Sequence, residues 1–257
     1  MATSDREVPP LAPWDRFITR QVERQRKQTN GHGIHRLFAG QTQSGKTTLN
    51  RVMLRMKRAV VVIGTKPRDS SLDRYVEEGF IRIGHWPPTT KELRPRGPFE
   101  QVKLLLWPQM KSYDELPRHY PTYRDALRHI AFEGGWTLSV DEGLYVCSRK
   151  GLNLGEEIRQ IAFGGASNGV SLHIVIQRPA GLDPLIYGSC HEGYLFRMGN
   201  TNDIREIASY TGYDTIEVAR AIRALNRGNP EKGHQFLYAP LVGGSSWEVS
   251  EMPKEWA

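Results

Sequence analysis

"FAGQTQSGKTTLN", residues 38–50, is the stretch whose reading decides the fold. From Gly40 to Thr47 it runs G-x-x-x-x-G-K-T, the spacing of a phosphate-binding loop. Gly40 and Gly45 permit the tight turn that lays backbone N–H groups against phosphate oxygens. Gln41, Thr42, Gln43 and Ser44 supply the amides between them. Lys46 adds a positive charge near the β- and γ-phosphates, the Thr47 hydroxyl suits Mg²⁺, and Thr48 completes the cradle. The flanks agree with the loop. "IHRLFA" before it reads as a strand, and "KTTLNRVMLRMKR" after it places Leu49, Val52, Met53 and Met56 at helical spacing. A helix starting there aims its positive end at the anion. A chance glycine-rich turn lacks such flanks, so ATP with Mg²⁺ is the expected ligand.

Working outward, 257 residues allow one large domain or two small ones. A hydrophobic fraction of 39% with 25% charged residues is that of an ordinary globular chain. No apolar run approaches the roughly 20 residues of a membrane span. The N-terminal "MATSDREVPPLAPWDR" lacks the apolar core of a signal peptide, so a cytoplasmic location, with association with a virion as a further possibility, is expected. Cys147 and Cys190 lie far apart and form no C-x-x-C pair, which argues for a reducing compartment and against structural zinc. Lys and Arg exceed Asp and Glu by 35 − 28 = 7. That excess is compatible with a polyanionic partner, and its scatter along the chain is equally compatible with a solvated basic surface.

The organisation expected is an N-terminal arm and basic helix over 1–30, then one P-loop domain over 31–257. Residues 1–12 read as a flexible arm, and "PWDRFITRQVERQRKQ" as a helix closed by "TNGHG" that either packs on the core or meets a partner. Apolar strands then alternate with helical stretches, the mark of an α/β sheet. The clear strands are "HRLFA", "AVVVIG", "WTLSV" and "SLHIVIQ". Residues 84–120 form a Pro-rich, irregular insert that carries the short strand "VKLLLW". "TYRDALRHIAFEG" is a helix, as are "DIREIASYTG" and "DTIEVARAIRALNRG". "HQFLYAP" and "SWEVSEM" suggest a C-terminal hairpin.

Two further motifs carry chemistry. In "WTLSVDEG" an apolar strand ends in Asp141-Glu142. Asp141 at the tip is placed to hold the Mg²⁺ shell through water, and Glu142 to polarise an attacking water as general base. In "SLHIVIQRP" a strand ends in Gln177, on the sheet edge where α/β proteins bind ligands. Its amide can accept from the water and donate to a γ-phosphate oxygen, which suits a sensor of triphosphate against diphosphate. Lys46, Glu142 and Gln177 are thus the catalytic candidates, and Thr47 and Asp141 the metal ligands.

This motif order resembles the FtsK/HerA group of P-loop ATPases. "WTLSVDE", a helix, and "NGVSLHIVIQRPAGLDPLIYGSC" are similar to the group's second-motif strand ending in Asp-Glu and its next strand ending in Gln, often Gln-Arg-Pro. The likeness extends through "GYLFRMGNTNDIREIA" and "GHQFLYAP", and covers about 34–251. It implies an additional-strand (ASCE) P-loop fold: a mostly parallel sheet with helices on both faces and the C-terminal hairpin. It also implies an ATP-hydrolysing motor that translocates double-stranded DNA through a homo-oligomeric ring, a hexamer. The compact chain looks most like the genome-packaging ATPases of viruses, which implies a capsid or portal-vertex partner. Other readings remain: an FtsK/HerA-like or Zot-like ATPase of conjugation, secretion or phage assembly, or a slow nucleotide-gated DNA-binding module.

The sequence departs from the group in two places. Many members carry an arginine finger in a Gly-Arg-x-x-Gly setting, where "FGGASNGVS" here has Ala166. Arg149, Arg159, Arg197 and Arg205 are the candidates to replace it. After the second strand, Thr65-Lys66-Pro67 stands where relatives often have Asp-Pro-Lys, with an open role. In the insert, Trp86, Lys91, Arg94 and Arg96 have the types of a DNA-facing loop, although a solvated loop with one packed Trp is the better reading. His32 and His35 read as bystanders.

Overall fold

The computed structural model describes residues 9, 11–27, 31–97, 100–226, 233–241 and 247–256. Most of the expected arm (1–8 and 10), the closing 28–30 and the end of the last tail helix lie outside the described residues, as do Pro98, Phe99 and 242–246.

The strands follow β-branched and aliphatic runs. They are β1 (Leu11–Ala12), β2 (Arg36–Ala39), β3 (Ala59–Ile63), β4 (Ile81–Ile83), β5 (Val102–Leu106), β6 (Thr137–Val140), β7 (Ser171–Ile176), β8 (Glu192–Leu195), β9 (His234–Pro240) and β10 (Glu248–Met252). All join one sheet in the order β1-β10-β9-β8-β2-β7-β6-β3-β5-β4. Pairing is parallel from β8 to β4, and antiparallel between β8 and β9 and between β9 and β10. Strands β6 and β7 are buried along their whole length, and β3 at every residue after Ala59, which is why they read as continuous apolar runs without alternation.

Both faces are covered, and neighbouring residues prove it. Successive side chains of a strand point to opposite faces. Phe38, Val175, Tyr194 and Phe236 enter one apolar cluster with Leu49, Val52 and Met53 of helix α2 (Lys46–Leu54). Leu37, Ile174, Leu195 and Leu237, each adjacent in sequence, enter the other. That second, larger cluster takes in Leu72 of α3 (Ser70–Glu77), Tyr123, Leu127 and Ile130 of α4 (Tyr120–Glu133), Val146 of α5 (Gly143–Cys147), Ile158 and Ile161 of α6 (Gly155–Gly164) and Ile186 of α7 (Pro184–Gly188). It also takes in Ile204 and Ile207 of α8 (Thr201–Thr211) and Val218 of α9 (Thr215–Ala224).

The basic helix α1 (Trp14–Lys27) packs on the core. Phe17 is 1% exposed and meets Phe236 edge-on at 5.1 Å. Leu11 and Ala12, expected in a flexible arm, instead pair parallel with Val249 and Ser250, where the last strand offers an unpaired edge. The insert is less of an insert than its composition suggests, for β5 lies inside the sheet between β3 and β4. Trp86 is half-buried against the core and edge-on to His129 at 5.4 Å, while Lys91, Arg94 and Arg96 are exposed.

Beneath the sheet centre runs a buried polar chain. Glu192 accepts from Arg36 Nε at 2.7 Å, from Tyr194 at 2.9 Å and from Arg24 of α1 at 3.0 Å. Arg36 Nη1 reaches His173 Nε2 at 3.2 Å, and His173 Nδ1 reaches Asn50 Oδ1 at 2.8 Å. A guanidinium only donates, so Nε2 accepts and Nδ1 carries the ring proton to Asn50. Asn50 Nδ2 then donates to Ser139 Oγ at 2.8 Å, tying α2 to the strand that ends before Asp141.

Candidate functional site

The loop 40–45 rises from the C-terminal end of β2, and α2 begins on it. Gly45, the N-cap, has φ 99°, and Gly40 has φ 155°, both open to glycine and unfavourable to other residues. A Cβ on Gly40 would stand 2.5 Å from Phe196 Cβ, and one on Gly45 would stand 2.6 Å from the His234 ring. Both glycines are therefore required by conformation and by space. Gly40 N–H donates to Ile176 O at 3.3 Å and Gln41 N–H to Arg197 O at 3.2 Å, so the loop is moored to the ends of the strands on either side.

The expected site residues meet in one cavity of about 140 Å³. Thr42, Gln43, Lys46, Thr47, Asp141, Glu142 and Gln177 line it, and Lys66, Asp69 and Ser71 join them. Thr47 Oγ1 donates to Asp141 Oδ2 at 3.4 Å, and Thr42 Oγ1 donates to Gln177 Oε1 at 3.1 Å. Lys46 Nζ donates to the Gln41 carbonyl at 2.5 Å. Gly40, Gln41, Ser44, Gly45 and Thr48 are absent from the cavity wall and shape the loop and helix start behind it.

The electrostatics are strained. Burial pushes the Asp141 carboxyl up to about 6, and the neighbouring Glu142 charge adds to that, against the pull of Lys66 and Lys46. Burial pushes Lys46 down to about 8, although Asp141 and Glu142 pull it the other way. Glu142 has left-handed backbone angles, φ 60° and ψ 48°, rare for a residue with a Cβ. Its Oε1 lies 2.5 Å from Lys66 Nζ, which also reaches Asp69 Oδ2 at 3.2 Å. Burial alone would depress the Lys66 ammonium; its bonds to Glu142 and Asp69 outweigh this and hold it above the ordinary lysine range.

Two hard oxygens, the Thr47 hydroxyl and the Asp141 carboxylate, lie side by side on the cavity wall, 3.4 Å apart, and this suits Mg²⁺. That ion keeps several waters and takes one or two protein ligands beside phosphate oxygens. Among the described residues no group of three or more His, Cys, Asp or Glu is placed to hold a metal by itself.

Sequence reasoning left Lys66 without a role and did not name Asp69 or Ser71. The available signal was position, since 64–69 follow β3, and β3 pairs with β6 so that Ile63 stands beside Val140. Of the finger candidates, Arg159 is paired with Asp183 and Glu156. Arg197 donates to the carbonyls of Arg223 and Leu225, and Arg205 donates to Asn202 at 3.3 Å. Arg149 is exposed and has no polar partner among the described residues. His35 is buried and accepts the Leu172 N–H at 3.0 Å, so it is part of the core.

Strand β7, with Gln177 at its end, lies between the strand that feeds the loop and the strand that ends at Asp141. That inserted strand defines an additional-strand P-loop domain. Solved structures share the fold. B204, the DNA-packaging ATPase of Sulfolobus turreted icosahedral virus, matches with a TM-score of 0.56 at 16% identity, over 86% of this chain and 97% of that one. VirB4 of Thermoanaerobacter pseudethanolicus matches with a TM-score of 0.58 at 10% identity, over 85% and 89%. B204 of Sulfolobus turreted icosahedral virus 2, solved with ATP-gammaS, matches with 0.53 at 15% identity, over 88% and 99%. In sequence, no family model and no curated protein matches the chain. No helix among the described residues is long and apolar enough to cross a membrane.

Proposed function

We propose that this chain is an ATP-hydrolysing motor that moves double-stranded DNA, and that its task is to package a viral genome. The observation that carries the reading is the convergence of Lys46, Thr47, Asp141, Glu142 and Gln177 on one cavity from three separate segments. The fold shared with a viral DNA-packaging ATPase supports the cargo.

In this reading the loop amides of 41–45 and Lys46 bind the β- and γ-phosphates. Thr47 and Asp141 hold Mg²⁺, which when bound neutralises charge on the phosphate oxygens. Glu142 accepts a proton from the attacking water, and Gln177 orients that water and contacts the γ-phosphate. A homo-oligomeric ring, six subunits by resemblance, supports coupling between sites, with a capsid or portal-vertex protein as the docking partner. With Ala166 at the usual finger position, Arg149 is, of the four candidates, the one without a polar partner among the described residues and so free to reach a neighbouring subunit.

That same alanine favours one other reading, a slow nucleotide-gated DNA-binding module. Steady-state ATP hydrolysis against duplex DNA concentration, at low and moderate salt, separates the two. The motor should be stimulated by DNA, and its DNA affinity should fall steeply with salt as counterions are released. Lys46→Ala should abolish nucleotide binding. A wild-type chain that binds ATP yet neither binds nor responds to duplex DNA would leave a P-loop ATPase with another cargo, as in conjugation or secretion.

A further inference from the structure

Lys66 belongs to no expected motif, yet it occupies the residue on which hydrolysis depends. Its ammonium lies 2.5 Å from Glu142 Oε1 and 3.2 Å from Asp69 Oδ2, so it bridges two carboxylates. The backbone beneath it is fixed: Trp107 Nε1 donates to Lys66 O at 2.6 Å, and Tyr123 Oη donates to Gly64 O at 2.7 Å. Asp69 is fixed as well. It caps α3 (Ser70–Glu77), accepting from Ser71 N at 2.8 Å and Ser71 Oγ at 2.6 Å. What remains free is the four-carbon lysine stem, about a third exposed at 32%.

We propose that Lys66 is a brake on Glu142, an ion pair that the terminal phosphate of bound nucleotide must break before hydrolysis can start. The inference rests on reading the cavity as a triphosphate site. An ammonium at this distance occupies Oε1 and holds the carboxylate turned towards Lys66, so the side chain is not free to swing onto a water placed for attack. A γ-phosphate in the cavity brings negative charge among Lys46, Lys66 and Gln177, and so competes with Glu142 for the Lys66 charge. Asp69 gives the lysine somewhere to stay after release. The pair is partly solvated on both sides, which makes it weak enough to exchange. The two nucleotide states differ in the charge offered to Lys66, and such a difference is what shifts a conformational equilibrium. Lys66 is on this account a positioning residue that gates the base, and no covalent bond changes in the exchange.

Zero-length carbodiimide cross-linking reads the contact directly, because it joins an amine to a carboxylate only where they touch. Mass spectrometry of the nucleotide-free chain should find Lys66 joined to Glu142 and to Asp69. With Mg²⁺ and a non-hydrolysable ATP analogue, the Lys66–Glu142 product should fall while the Lys66–Asp69 product persists. Lys46→Ala, which cannot hold the analogue, should keep the nucleotide-free pattern. Lys66→Met should raise basal hydrolysis about twofold to fivefold, the factor a partly exposed ion pair is worth. Asp69→Asn should lower basal hydrolysis by leaving Lys66 to Glu142 alone, and the double variant should behave as Lys66→Met. A Lys66–Glu142 product unchanged while the analogue is measurably bound overturns the brake, as does a Lys66→Met chain slower than or equal to wild type. Failure of the analogue to bind the wild-type chain overturns the triphosphate site itself, and the brake with it.

Discussion

Two groups of charge lie within this sheet, and they are treated in opposite ways. Under the centre, Arg36 is fully buried and Glu192 nearly so, at 2.7 Å from each other. Burial by itself would raise the Glu192 carboxyl, but Arg36, Tyr194 and Arg24 more than offset it and hold it below the ordinary range. At the C-terminal edge, the balance goes the other way. Asp141 is raised to about 6 and Lys46 lowered to about 8, and in both the first cause is burial that partners do not cancel. The first cluster is locked by hydrogen bonds on every strand it touches. The second is held together by few bonds, several to side chains with other partners within reach. Charge that is bonded to several strands at once fixes a fold, even with Arg36 Nη2 left without a partner, and charge that is held by few bonds can answer a ligand.

This contrast can be broken at either end. The largest effect is expected for Glu142→Gln, which keeps the shape and removes the basicity. Hydrolysis should fall about 100-fold or more, with ATP binding and the melting curve close to wild type. Wild-type turnover in that variant would remove Glu142 as the base. Next comes Glu192→Ala, which leaves Arg36 buried without its carboxylate. Urea unfolding should show a loss of about 3–5 kcal/mol. A loss below about 1 kcal/mol would mean that Arg36 finds water, and that the centre is not locked.

Acid should act on the same locked region. His35 is lowered to about 4 by burial and by His191, and His173 lies well below its ordinary value through burial, Arg36 and Lys57. Both are neutral when folded, while in the unfolded chain they take up protons near pH 6.5. The unfolded state therefore binds more protons in this window, and stability is lost as pH falls from about 6.5 towards 4. For His35 the full loss is about 3 kcal/mol, at 1.36 kcal/mol per unit. Melting temperatures at pH 7.5, 5.5 and 4.5 measure it, and His35→Gln should flatten the decline. An equal decline in that variant would move the acid sensitivity elsewhere.

The smallest effect is expected at Gln177, whose bond from Thr42 is exposed and 3.1 Å long. Gln177→Ala should change ATP affinity by about a factor of five or less, while weakening the stimulation of hydrolysis by duplex DNA. An unchanged DNA response would make Gln177 a structural end of β7 and no sensor.

The sequence by itself determined what is local. The loop from Gly40 to Thr47 is contiguous, its glycines needed for their own backbone angles, so spacing alone was enough to recognise it. Asp141, Glu142 and Gln177 were legible because each ends a run of buried aliphatic residues, and such runs mark interior parallel strands. Strand β4 escaped notice because three edge residues carry too little pattern, and β8 was marked only by the resemblance. Tertiary structure decided the rest. Strand register set Ile63 beside Val140, and so brought Lys66 to Glu142 across 142 − 66 = 76 residues of chain. Docking of α1 brought Arg24 to Glu192 across 168 residues. Hydrogen-bonded pairing between strands is blind to sequence distance. A residue's own neighbours in the chain do not reveal which charge the sheet will place against it.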